Sequence, residues 1–454
     1  MAPVGEAEIT VGAAQISPTA ASSHRRFGFR RGLIAVCALA LVVRLVAIAS
    51  TPHFVPNTDA ADYDRIAVTL ADTHSFAPSV LAPAGGPSAF RPPLFPVGLA
   101  GVYAVVGTKS PTDRWDAGRV LEAVLGAIAV ALVGLIAVRF WGPAPALLSA
   151  AIAAIYPPLV RLGTSLMSES LFIPLMLGAV LTALVYRDAP HRRRWAILTG
   201  LLLGCAALTR ANGLLLLLPI CFLVWHERPR RSLRSLLGPA LVVVVAIAVV
   251  LPWTVRNAHL FGQLVPISTE SGYLLAGTYN RYSDKNADDP ALWIVPVPQM
   301  RQILARAPQL NEAQISGRLN RTAFDYIEAH PGYVLKATYW DTIRLLELTG
   351  TRLERNEARY VGYWADLTAP SVYAFWLVAL LAVVGAFTRA ARRPPAAFWA
   401  CPAVIVVAGL PLAGSARYRS PADPFLIMLA ALALVYIWRR LRGGARSAPV
   451  RPAA

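Results

Sequence analysis

Residues 57–67 read NTDAADYDRIA. Asp59 and Asp62 are spaced i, i+3, so they share one face of a helix formed there, with Tyr63 beside them. Asp64 points elsewhere and reads as a solvated residue. Carboxylates in such a cluster can accept a proton from a hydroxyl or amine, or simply complement a helix N-terminus. Farther along, Phe90-Arg91-Pro92-Pro93 sets one guanidinium on a backbone that the prolines hold extended. Glu169 closes the run Gly163-Thr164-Ser165-Leu166-Met167-Ser168 at the threshold of an apolar stretch, where an acid is costly and marks a functional site by default. Arg210 lies in LTRANG, Arg256 and Asn257 in PWTVRN, and Arg417 and Tyr418 in ARYRSP. Each of these arginines neighbours Pro, Gly or Asn at the end of an apolar run. One alone reads as a headgroup anchor. Several facing an acidic cluster suggest a bound anion, and the planar fork of Arg suits phosphate.

The elements that must hold these residues follow from composition. The 454 residues are 56% hydrophobic and 15% charged, against about 25% charged in soluble domains. Several apolar runs reach the length of a membrane-spanning helix. The reading is an all-α polytopic membrane protein. A net charge of +18 could suit a nucleic-acid binder, but the arginines fall in short clusters between apolar runs. That is the pattern of cytoplasmic loops, and it excludes nucleic acid as a partner. Cys37, Cys205, Cys221 and Cys401 lie within apolar runs without metal spacing and read as small hydrophobes. The chain has no Walker motif, GxGxxG or HExxH, which argues against a nucleotide-driven pump.

Arginine clusters at 25–31, 187–194, 228–234, 389–393 and 439–442 fix the parity of the threading. The first span, about 32–50, leaves the cytoplasm. Apolar runs follow at about 118–138, 143–157, 170–186, 195–209, 212–225, 236–254, 370–388, 396–413 and 422–438. They make about ten transmembrane helices, with outer-face juxtamembrane helices between them. The 14-residue apolar stretch 94–107 reads as interfacial or re-entrant; if it crosses, there are eleven spans. The division that results is a disordered basic cytoplasmic tail (1–30), an N-terminal membrane module (31–254) with an outer loop (51–117), an extracytoplasmic helical segment (255–369), C-terminal spans (370–440) and a cytoplasmic tail (441–454). Within the extracytoplasmic segment, 320–329 reads as a helix stopped by His330-Pro331-Gly332, and 333–347 as another.

These residues resemble the integral-membrane glycosyltransferases of the GT-C superfamily, which includes protein O-mannosyltransferases and aminoarabinose transferases. The resemblance rests on Asp59-Ala60-Ala61-Asp62-Tyr63, Arg91-Pro92-Pro93, Gly163-Thr164 with Glu169, Leu208-Thr209-Arg210, Pro252-Trp253 with Arg256-Asn257 and Ser268-Thr269, and Arg417-Tyr418 with Pro421. It implies a GT-C-type fold and an inverting transfer of sugar from a polyprenyl-phosphate-linked donor to a lipid, glycan or protein acceptor, with the active site outside the cell membrane. Asp59 would be the base, Asp62 a second acid on the same face, and Glu169 would orient acceptor or sugar. Arg91, Arg210, Arg256 and Arg417 would hold the phosphate, with Tyr63, Asn257 and Tyr418 as further substrate contacts. No cofactor is certain from the sequence; two carboxylates could hold a divalent metal, without a dedicated ligand set. The rival readings are a flippase or transporter for an anionic lipid, which should carry its charges near the bilayer midplane, and a structural envelope subunit, whose acids and arginines need not converge.

Overall fold

Proline and glycine set many of the helix boundaries. Pro111, Pro143, Pro157 and Pro331 each stand in the first turn of a helix, where the missing N–H is harmless. Gly142, at φ 81°, takes a left-handed turn between two antiparallel helices. The computed structural model describes residues 18–83, 85–189, 192–225, 233–294, 298–306, 309–362, 364–412 and 414–444. Of the expected disordered tail, 1–30, residues 18–30 instead belong to the first helix, Pro18–Ala49, and residues 1–17 lie outside the described residues, as do the distal C-terminal tail and most of the 228–234 arginine cluster.

All described regular structure is helical. In chain order the helices are α1 (Pro18–Ala49), α2 (Thr58–Thr73), α3 (Leu94–Val106), α4 (Pro111–Trp141), α5 (Pro143–Ile155), α6 (Pro157–Leu162), α7 (Glu169–Asp188), α8 (Arg192–Thr209), α9 (Leu217–Val224) and α10 (Leu237–Phe261). There follow α11 (Glu270–Thr278), α12 (Arg281–Asp284), α13 (Pro298–Arg306), α14 (Glu312–Ala329), α15 (Pro331–Leu345), α16 (Thr351–Val361), α17 (Thr368–Ala386), α18 (Ala396–Gly409), α19 (Ala416–Arg419) and α20 (Asp423–Gly444). Helix α14 starts earlier than its sequence signal, because Asn311 and Gln314 form a reciprocal capping box. Pro331 opens α15 rather than only ending α14.

Each of the ten expected spans contains a helix, and six helices are long and apolar enough to cross a membrane: Gly28–Ala49, Pro111–Trp141, Glu169–Asp188, Leu233–Phe261, Ala365–Ala386 and Asp423–Arg442. Four further apolar helices, Leu94–Val106, Pro143–Ile155, Ala211–Val224 and Ala396–Gly409, are shorter. A 13-residue helix such as α3 is about 20 Å long, less than the roughly 30 Å hydrocarbon thickness. Most of α7 is buried, and Phe172, Met176, Leu177 and Val180 place it inside the core with α4 and α8 around it. Close crossings depend on small residues. Gly200 and Gly204 of α8 lie against the α10 backbone, and Gly385 of α17 lies against the Leu429 carbonyl of α20.

The ends of the bundle differ in chemistry. At one end Arg139 bonds Asp188 and the Leu184 carbonyl, Arg187 bonds the Leu223 carbonyl, and Arg393 bonds the Phe140 carbonyl. The basic loops therefore gather there. At the other end lie α2, the start of α7, the end of α8, and α19.

Candidate functional site

Three acids stand in the first turns of three different helices: Asp59 in α2, Glu169 in α7 and Glu270 in α11. Helix N-termini favour negative charge, and all three point to one place. Arg91, on the extended stretch before α3, is the hub. Its side chain is 6% exposed and its three nitrogens go to three acids. Nη2 bonds Asp59 Oδ1, Nε lies 3.0 Å from Asp62 Oδ2, and Nη1 lies 2.8 Å from Glu270 Oε1. Asp62 also takes Arg65 at 2.8 Å.

The other oxygen of Asp59 continues the chain of charges. Arg417 Nη1 lies 2.6 Å from Asp59 Oδ2, while its Nε bonds Glu169 Oε1. Arg210, just past the end of α8, approaches the same Glu169 oxygen at 2.5 Å and Ser168 Oγ at 3.1 Å. Tyr63 Oη donates to Ser168 Oγ at 3.1 Å, and its ring lies 5.3 Å from the Arg91 guanidinium. Tyr418 has Arg210 and Arg417 5.7 Å from its ring centroid. Acid and base thus alternate as Asp62, Arg91, Asp59, Arg417, Glu169 and Arg210, with Glu270 a branch on Arg91. Planar guanidinium forks suit such multiple bonding.

The alternation tunes the groups. Burial pushes Asp59 towards its neutral form, but the Arg91 and Arg417 charges and bonds outweigh it and hold the carboxyl well below the usual range. Burial likewise disfavours the Arg91 charge, and Asp59 and Glu270 more than restore it. Burial raises both Tyr63 and Tyr418 to about 12, so their hydroxyls stay protonated at neutral pH. Among the described residues, no group of three or more His, Cys, Asp or Glu is arranged to hold a metal ion.

The structure therefore brings together Asp59, Asp62, Tyr63, Arg91, Glu169, Arg210, Arg417 and Tyr418. It does not bring Arg256 and Asn257 into this ladder. Arg256 packs 4.3 Å from the Trp253 ring, bonds the Ser88 carbonyl at 3.0 Å and bonds Asn257 at 2.9 Å. Asn257 is fully buried and bonds the Val265 carbonyl at 3.1 Å. Both hold loops onto α10. Asp64 also departs from its reading: it is turned away from the ladder but is buried, in a two-bond pair with Arg114 at 3.0 and 2.9 Å. Burying a paired carboxylate needs such a partner, and Arg114 lies too far along the chain to be matched to it by periodicity.

Sequence reasoning missed Glu270 and Ser168. Glu270 follows directly on Ser268-Thr269, and Ser168 directly precedes Glu169, so proximity to those motifs was the available signal. It also missed Glu122 of α4, fully buried, whose oxygens accept the N–H groups of Leu166 and Met167 at 2.8 and 2.5 Å. Leu166 holds a left-handed φ of 56°, a conformation that costs a non-glycine residue about 1–2 kcal/mol. Glu122 supplies bonds that keep this turn just before Glu169.

Residues 91–255 match the family model described as dolichyl-phosphate-mannose-protein mannosyltransferase. The oligosaccharyltransferase of Archaeoglobus fulgidus in its apo form superposes with a TM-score of 0.56 at 12% identity, covering 95% of this chain and 53% of that one. The same archaeal enzyme in complex with an inhibitory peptide and a dolichol-phosphate gives 0.54 at 13% identity, covering 94% and 53%. ArnT from Cupriavidus metallidurans bound to undecaprenyl phosphate gives 0.37 at 16% identity, covering 88% and 76%. The chain spans about half the length of the archaeal oligosaccharyltransferase. No curated protein matches it in sequence. The fold is of the GT-C type, and the chain is a multi-pass membrane protein.

Proposed function

We propose that the chain is a membrane glycosyltransferase that moves a sugar from a polyprenyl-phosphate-linked donor to a lipid, glycan or protein acceptor on the outer face of the membrane. The observation that carries this reading is the ladder itself, in which Arg91 and Arg417 share Asp59. Its Arg91, Glu169 and Arg210 fall within the stretch that matches the mannosyltransferase family model, 91–255. The basic loops gather at the opposite end of the bundle, which supports cytoplasmic termini and an extracytoplasmic site.

The chemistry follows from what these groups can exchange. A donor phosphate draws the forks of Arg91 and Arg417, with Arg210 beside them, away from the carboxylates. Asp59 then loses the charges that depress its proton affinity and becomes a competent base. It takes the proton of the acceptor hydroxyl or amine as that atom attacks the anomeric carbon. The carbon–oxygen bond to phosphate breaks in the same displacement, inverting the carbon. The arginines stabilise the charge growing on the leaving phosphate. Glu169 orients acceptor or sugar, with Asp62 and Tyr63 holding Arg91 in place. Helix α3 forms part of the groove for the polyprenyl tail. Arg256 and Asn257 have no part in this scheme.

The convergence of acids and arginines argues against a purely structural subunit. Their placement at one end of the bundle, rather than at midplane, argues against a transporter. Mass spectrometry of envelope lipids and glycans after deletion of the chain tests the proposal. The expected result is loss of one sugar modification, restored by the wild-type chain and not by Asp59→Asn. An unchanged glycan and lipid profile would sink it.

A further inference from the structure

Glu312, at the start of α14, is fully buried and lies outside the ladder. Among the described residues it forms no ion pair, yet four donors converge on its carboxylate. Ser79 Oγ and Ser88 Oγ donate to Oε2 at 2.5 and 2.8 Å. The Ala89 N–H and Thr269 Oγ1 donate to Oε1 at 2.8 and 2.7 Å. Both oxygens of the buried carboxyl are thus satisfied by hydrogen bonds, as buried polar groups require.

What it joins is specific. Ser88 and Ala89 stand three and two residues before Arg91 on the chain, and Thr269 immediately precedes Glu270. The same two segments are bonded to each other, Thr269 N–H to the Ala89 carbonyl at 3.0 Å. Ser316, one turn farther along α14, donates to the Thr269 carbonyl at 2.7 Å. Arg256 closes the outside of the junction through the Ser88 carbonyl. The two side chains that leave this junction, Arg91 and Glu270, meet at 2.8 Å.

We infer that Glu312 is a positioning residue for the reaction: it locks the 79–89 and 268–270 segments together and so aims Arg91 and Glu270 at the place where the donor phosphate binds. The inference rests on the glycosyltransferase reading for the identity of that phosphate, though not for the geometry. It also assigns a purpose to Arg256 and Asn257, which steady this junction rather than touch substrate. A misplacement of about 1 Å at a charged contact can cost on the order of a hundredfold in rate, so a rigid carboxylate behind Arg91 has large leverage.

The test uses purified full-length protein in nanodiscs, with undecaprenyl phosphate as probe. Glu312→Ala should weaken its binding about tenfold, the factor of one well-aimed charged contact. Glu312→Gln, which keeps an acceptor oxygen, should stay within about threefold of wild type, a difference of under 1 kcal/mol on the same scale. In the Arg91→Lys background Glu312→Ala should add almost nothing, because coupled residues are non-additive. Amide exchange of residues 86–91 should accelerate in Glu312→Ala with the rest of the bundle unchanged. If Glu312→Ala does not fold, Ser88→Ala removes one of the four bonds and should show the same effects at smaller size. Wild-type binding and exchange in these variants, or a loss fully additive with Arg91→Lys, overturns the inference. Faster exchange at 86–91 in a protein whose wild type binds no polyprenyl phosphate overturns the glycosyltransferase reading and leaves the positioning role standing.

Discussion

Arg417 Nη1 lies 2.6 Å from Asp59 Oδ2, although 358 residues separate them in sequence. The loop after the first apolar helix and the entrance to the last helix are thus joined at one carboxylate. Arg417→Lys keeps the charge but gives up the fork that spans Asp59 and Glu169. The expected outcome is a loss of transfer of about a hundredfold, in the range seen when one preorganised donor is removed, with protein abundance retained. Rate measurement in membranes at matched protein levels checks it.

Among the described residues Glu270 pairs with Arg91 alone, and its side chain is 36% exposed, the most open of the ladder acids. Glu270→Gln removes a carboxylate that competes with an incoming anion. Binding of undecaprenyl phosphate should tighten by about threefold or more, as expected when a competing ionic contact is lost. Weaker binding would show that Glu270 helps to hold the ligand.

Much of this site was legible in the sequence because a charge beside an apolar run is conspicuous. Asp59, Arg91, Glu169, Arg210 and Arg417 each stand at such a boundary, and all five meet. Six of the ten expected spans were legible in the same way, as helices long and apolar enough to cross a membrane, whereas α5, α8, α9 and α18 fall outside that set. Glu270 and Glu312 were not legible. They sit in a polar segment with many acids, and their partners lie far off: Arg91 is 179 residues from Glu270, and Ser88 is 224 from Glu312. Arg256 lies apart from the ladder, against the Ser88 carbonyl, a placement that Pro, Trp and Asn beside an arginine do not distinguish in sequence from one facing a ligand.

A pH dependence of stability follows from Glu354 on α16. Burial, with Glu357 and Glu347 nearby, pushes its carboxyl up to about 8 despite Arg161 at 3.7 Å. The unfolded chain titrates Glu near 4.3. Between those values the folded protein holds a proton that the unfolded chain has released, so stability falls as pH rises through this window. Melting should therefore occur at higher temperature at pH 6 than at pH 8.5. Glu354→Gln should flatten the difference, and thermal denaturation in nanodiscs measures both.

Gly385 permits the close crossing of α17 and α20, since any side chain there would collide with the Leu429 carbonyl. Gly385→Val should destabilise the protein by about 1–3 kcal/mol, the usual cost of overpacking. The checks are a lower melting temperature and reduced yield, while Gly98→Ala, where a Cβ meets open space, should change neither.

The most direct measurement is release of free polyprenyl phosphate from polyprenyl-phosphate-linked sugars by membranes carrying the wild-type chain, Asp59→Asn or Arg91→Ala. The account predicts chain-dependent release from at least one donor, reduced about a hundredfold or more in both variants. Release at the wild-type rate from both variants would contradict it.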